Sequence, residues 1–234
     1  MKQTLPQHYD RLTRRHYQDR SVAQRYCDEY TGPPTLRTLP ARLIALRECR
    51  IIDRAMTYIC GAGPVQRIID LPCGTGKLAS VFAHFQCTVV AADISSEMME
   101  IADPEYRKLA GFAGLVQTDA AATTFADAEF DAVVCLRLLH RVPYNVRESI
   151  LTELNRICRK YVILSAGIDS QLQGLRRDLR RVVTGTSTVP YPITKSDLAL
   201  QLTRAGLTPL RWVPVFRLLS SEWVVICEKR NPAQ

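Results

Sequence analysis

No two of the eight cysteines in this 234-residue chain form a C-x-x-C pair. His8, His16 and His84 stand at no metal-ligand spacing from an acid or a cysteine. A zinc centre and a disulfide framework are therefore not expected, and no metal is predicted. Cys135 and Cys227 lie inside apolar strand-like runs, where a thiol behaves as a small hydrophobe. A reducing, cytoplasmic setting is the simplest expectation. No run is long and apolar enough to predict a membrane span, and the opening MKQTLPQHYDRLTRR lacks the apolar region of a secretory signal. Internal repeats and low-complexity tracts are absent.

What is present is the composition of a globular chain, with 47% hydrophobic and 23% charged residues. Its length suits one α/β core with additions. The 31 basic side chains exceed the 23 acidic ones, giving a net charge of +8. That surplus is compatible with an anionic small molecule, a nucleic acid or a membrane surface. The arginines are spread along the chain rather than gathered in a tail, which favours plain solubility as its role.

The organising stretch is VQRIIDLPCGTGKLA, residues 65–79. It reads as a buried strand (Ile68, Ile69), a carboxylate (Asp70), a turn carrying Gly74 and Gly76, and a helix start. Glycines there let backbone approach a ligand, and the first N–H groups of a helix face it. A phosphate-binding G-x-x-x-x-G-K-[ST] loop is excluded, because Lys77 precedes Leu78 and Leu71 stands at the first glycine position. A dinucleotide loop half fits, since Gly74, Gly76 and Ala79 satisfy G-x-G-x-x-A. Asp70 points elsewhere. A carboxylate at the strand end suits an ammonium- and sulfonium-bearing ligand and repels a pyrophosphate.

D-L-P-C-G-T-G (70–76) resembles the D-x-G-x-G-x-G motif of class I S-adenosylmethionine-dependent methyltransferases. The departure is Pro72, which stands at the family's first glycine and offers no N–H. A second motif follows at the right distance. Strand 87–92 ends in Asp93, and D-I-S-S-E-M-M-E-I-A (93–102) resembles the D-x-S-x-x-M-L-x-x-A stretch of the small-molecule methyltransferases. The resemblance covers about residues 64–230, with its specific motifs within 68–140. It implies S-adenosyl-L-methionine as cofactor, held by Asp70, Leu71, Pro72, Cys73, Gly74 and Gly76. Asp93 and Ile94 would meet the ribose, with Met98 alongside. Asp119 and Ala120, after a short strand at 115–117, would meet the adenine. Leu136 closes the set at the end of strand 130–136.

Further elements alternate in the same order: a helix from 145 to about 158, a strand at 161–166, a helix capped by Thr194 and ended by Gly206, and strands at 210–218 and 222–228. A Rossmann-like, doubly wound α/β fold is expected. Its sheet would have seven strands, mostly parallel, ending in an antiparallel hairpin. Residues 1–63 read as an N-terminal helical extension packed on this core. Helix-like segments fall at 21–30 and 40–59, the second placing Ile44, Ile51, Ile52, Ala55 and Ile59 on one face. Residues 64–234 form the methyltransferase-like domain, and the arginine-rich stretch at about 168–193 reads as a lid-like insertion.

Methyl transfer from a sulfonium needs an acceptor in line with the methyl, exclusion of water and, for some acceptors, a base. His140, after the fourth strand, is the candidate base, and on that ground oxygen is the expected acceptor atom. Arg137 could orient an acidic acceptor. Tyr26 and Tyr30 could close the pocket from the extension. The leading expectation is therefore methylation of a small molecule. An RNA methyltransferase is the alternative, and the surplus of positive charge motivates it. No N/D-P-P-Y/F motif, catalytic P-C pair or appended RNA-binding module supports it. A non-catalytic cofactor-binding scaffold and a nicotinamide oxidoreductase stand further back. Neither the acceptor nor the oligomeric state is legible.

Overall fold

The computed structural model describes residues 20–31, 35, 38–169, 191, 193–216 and 221–230. Among the described residues two helices precede the sheet, α1 (Arg20–Thr31) and α2 (Leu39–Gly61). There follow β1 (Arg67–Asp70), the short α3 (Ala79–Phe82), β2 (Thr88–Asp93), α4 (Ser96–Tyr106), β3 (Phe112–Gln117) and β4 (Phe130–Cys135). After a 3₁₀ turn at Leu139–Arg141 come α5 (Tyr144–Ile157), β5 (Cys158–Gly167), α6 (Lys195–Arg204), β6 (Leu207–Pro214) and β7 (Glu222–Lys229).

The seven strands form one sheet in the order β3-β2-β1-β4-β5-β7-β6. β1 to β5 are mutually parallel, and β7 runs antiparallel to both β5 and β6. The central strands are apolar on both faces because helices cover both. Ile68, Ala132 and Ile163 join the core on one side, Ile69, Val133 and Val162 the core on the other. Strand order reverses between β1 and β4, so a crevice opens beyond their C-terminal ends.

α2 belongs to the first of these cores. Ile51, Ile52, Ala55, Met56 and Ile59 pack in one cluster with Ile68 and Val134 of the sheet. The expected apolar face is present, with one difference: Ile44 is only half-buried, while Glu48, a turn further on, is fully buried. The helix expected to start at the end of the 65–79 stretch is only one turn long, because the 74–78 segment remains in turns. β3 and β5 extend further than expected, each gaining residues at its N-terminal end. The described residues contain no helix long and apolar enough to cross a membrane. Of the lid-like insertion expected at about 168–193, residues 170–190 and 192 lie outside the described residues.

Candidate active site

The crevice at the strand-order reversal holds a cavity, and the loop after β1 forms its floor. Leu71 N–H donates to Val134 O (2.9 Å) and Cys73 N–H to Ala92 O (2.8 Å), so the loop is tied to the strands on either side. The Leu71–Pro72 peptide between these ties is cis. Gly74 and Gly76 have φ of +53° and +80°, the region that favours glycine. Their surroundings differ. A Cβ on Gly76 would meet Ala102 Cα at 3.1 Å and Glu105 Cβ at 3.2 Å, whereas one on Gly74 would meet nothing within 4 Å. Gly76 lets α4 pack close; Gly74 leaves room in the cavity.

Asp93 organises this loop. Its Oδ2 accepts from Gly74 N–H at 2.8 Å and its Oδ1 from Ser95 N–H at 3.0 Å. Ser95 Oγ in turn accepts from Met98 N–H at 3.1 Å, capping α4. The D-x-S-x-x-M spacing thus has a mechanical meaning. The acid fixes the glycine loop, the serine starts the helix, and the first helical turn puts Met98 against the cavity. Met99 packs on the core instead.

Asp70 is 1% exposed. One oxygen accepts from the hydroxyl of Tyr106, and the other, Oδ1, has no hydrogen-bond partner among the described residues. Burial pushes its carboxyl up to about 7, against the opposing pull of the Tyr106 hydrogen bond and of Lys77. A buried carboxylate oxygen without a partner, on a cavity wall, is suited to a cationic ligand.

The cavity is lined by Asp70, Pro72, Cys73, Gly74, Asp93, Ile94, Met98, Leu136 and Arg137 among the residues singled out from sequence. Leu71 lies in the core beneath it, and Gly76 faces α4. Asp119 and Ala120 are at the end of β3 but do not line this cavity. Asp119 accepts from Ala121 N–H (3.0 Å) across its own turn.

His140 requires correction. It is 5% exposed and does not line the cavity, and its Nδ1 has no partner among the described residues. Burial, reinforced by Arg141 and Arg137, lowers its pKa to about 3, so the ring is neutral and too weakly basic to draw a proton from an acceptor. The turn carrying it is held from behind. Arg147 donates to Leu139 O (2.8 Å), Val142 O (3.3 Å) and Tyr191 O (3.1 Å).

Arg137 lines the cavity with its guanidinium already engaged. It has φ +58°, and its N–H donates to Ser165 Oγ at 2.8 Å. Its guanidinium reaches Glu48 at 3.0 Å and Glu222 at 3.7 Å, so two carboxylates fix its position at the cavity. Lys77 pairs with the same Glu48. Sequence reasoning missed Glu48 and Lys77. The signal was there, since Glu48 is a lone charge in the middle of the apolar face of α2. Tyr26 and Tyr30 belong to α1, but their side chains lie outside the described residues.

The family model for the methyltransferase domain matches residues 68–161, the span from β1 to the start of β5. Over residues 68–161 the chain thus matches a methyltransferase domain, and its strand order is that of the class I fold. Its relatives include the ubiquinone/menaquinone biosynthesis C-methyltransferase UbiE of Shewanella sp. (strain ANA-3), 30% identical over 115 residues, 47% of this chain and 45% of that protein. The demethylmenaquinone methyltransferase of Renibacterium salmoninarum is 31% identical over 117 residues, 50% of this chain and 47% of that protein. The match thus spans about half the length of these relatives. Among solved structures, the magnesium protoporphyrin IX methyltransferase of Synechocystis PCC 6803 with bound S-adenosylhomocysteine superposes with a TM-score of 0.77 at 15% identity. That superposition covers 94% of this chain and 99% of that one. The 1,6-didemethyltoxoflavin-N1-methyltransferase of Burkholderia thailandensis gives 0.64 at 15% identity, covering 99% of this chain and 93% of that one. Both share the fold of the methyltransferase domain described here. S-adenosylmethionine is the cofactor of that class, and the residues present fit it. The partnerless Oδ1 of Asp70 suits its ammonium group, and the space where a Gly74 Cβ would stand suits close approach of the ligand.

Proposed function

We propose that this protein is an S-adenosylmethionine-dependent methyltransferase acting on a small molecule. The observation that carries the reading is the partnerless Asp70 Oδ1 on a cavity wall whose loop Asp93 fixes. Bound S-adenosylmethionine supplies an electrophilic methyl group on a sulfonium. The chain's own residues bind and orient it: Asp70 would hold the ammonium group and Asp93 the ribose hydroxyls. Ile94, Met98 and Leu136 offer apolar surface that excludes water.

The relatives' names span carbon and nitrogen acceptors, so resemblance does not choose the acceptor atom. Oxygen was favoured on His140 alone. With that imidazole buried and neutral, an oxygen acceptor in this site would have to arrive already ionised. A carboxylate or a phenolate meets that condition. Titration calorimetry with S-adenosylmethionine, S-adenosylhomocysteine and NADH tests the reading. Micromolar binding of both adenosyl compounds and none of NADH is expected. Binding of NADH alone would overturn it.

A further inference from the structure

Glu48 is the most deeply buried acid in the described chain that the cofactor motifs do not use. Its side chain has no exposed surface, and it sits at the centre of the inward face of α2. Burial of an isolated carboxylate is very costly, so partners must justify it. Two cations meet it there. Lys77 comes from the glycine loop and Arg137 from the end of β4, and both line the cofactor cavity. Glu222 of β7 approaches Arg137 from behind and accepts a hydrogen bond from Ser165 Oγ at 2.9 Å. Glu48 and Glu222 thus oppose the charges of Lys77 and Arg137 in the lining of the cavity that Asp70 and Asp93 also line.

Without Glu48 this balance fails by one charge. Lys77 would then be drawn towards Asp70, whose carboxyl it already influences. The cavity would become less negative, and a cationic ligand would lose more than a neutral one of the same shape. S-adenosylmethionine and S-adenosylhomocysteine are such a pair, differing by a methyl group and the sulfonium charge.

We propose that Glu48 tunes the charge preference of the cofactor cavity: by engaging Lys77 and Arg137 from the N-terminal helix, it shifts the relative affinity of the site towards the sulfonium and away from the thioether. Glu48 is a positioning residue, acting through Lys77 and Arg137 rather than on the ligand. The proposal rests on the methyltransferase reading and assigns the N-terminal helix a part in cofactor discrimination.

The test is the ratio of the two dissociation constants, S-adenosylmethionine over S-adenosylhomocysteine, measured by calorimetry on wild type, Glu48→Gln and Lys77→Met. Glu48→Gln is expected to raise the ratio about tenfold, and Lys77→Met to lower it. A purely structural role would weaken both ligands equally and leave the ratio alone. Should Glu48→Gln fail to fold, Lys77→Met decides, because it removes a cation and leaves Glu48 paired with Arg137. An unchanged ratio in whichever variants fold overturns the proposal. Wild type that binds neither adenosyl compound overturns the methyltransferase reading itself, and the proposal with it.

Discussion

The two walls of the cavity are fastened by different means. On the β1–β2 side the groups are neighbours in sequence, and carboxylate-to-backbone bonds hold them. Asp93 accepts from Gly74 and Ser95, and Ser95 from Met98. On the β4–β7 side the partners are far apart in the chain, and charged side chains do the fastening. Glu48, Lys77, Arg137, Ser165 and Glu222 meet from five segments. The first kind of wall depends on spacing and leaves a motif. The second depends on tertiary approach and leaves almost none.

Damage to the first wall should therefore have the largest effect on binding. Asp93→Ala removes the acceptor of two backbone N–H groups as well as the candidate ribose contact. Affinity for S-adenosylhomocysteine should fall about a hundredfold or more in calorimetry, with the fold retained by circular dichroism. The two glycines divide the same wall. Gly76→Ala should cost roughly 2–4 kcal/mol in urea unfolding, through positive φ together with contact against Ala102. Gly74→Ala carries only the conformational cost, roughly 1–2 kcal/mol, yet should weaken the adenosyl ligands more than Gly76→Ala does.

A smaller effect is read in pH. The folded Asp70 has its pKa raised to about 7, above the unfolded value of about 3.9. Its contribution is therefore fully present below the unfolded value and is lost as pH rises through about 7. Urea unfolding of the ligand-free protein should show stability declining across pH 4–7, and Asp70→Asn should flatten that slope. The smallest effect concerns His140. Its lowered pKa, about 3, reverses the sign: stability from the neutral ring is present above pH 6.5 and is lost as pH falls towards 3. His140→Gln should leave the affinity for S-adenosylhomocysteine within about twofold of wild type. A large loss would return His140 to the site.

The strands and their order of alternation were legible because both faces of β1, β2, β4 and β5 are covered, so each reads as a short apolar run. Asp70, Asp93 and Met98 were legible because one loop and one helix start place them, at fixed separations. His140 was misread because a position just after a strand says nothing about which way the side chain turns. Here it turns inward, and Arg147 of α5 secures the turn around it. The partners of Arg137 were illegible for a different reason. Glu48 and Glu222 lie 89 and 85 positions away, beyond the reach of any local pattern.

The segment that joins β5 to α6 has both ends fastened where they leave the sheet. Ile168 and Ile193 are bridged, Asp169 N–H donates to Ile193 O at 2.8 Å, and Tyr191 N–H donates to His140 O at 3.1 Å. The two ends are thus held to each other, and to the turn at His140, where the chain leaves the sheet and where it returns. Grafting a longer or shorter piece between those anchors should leave the cofactor half intact.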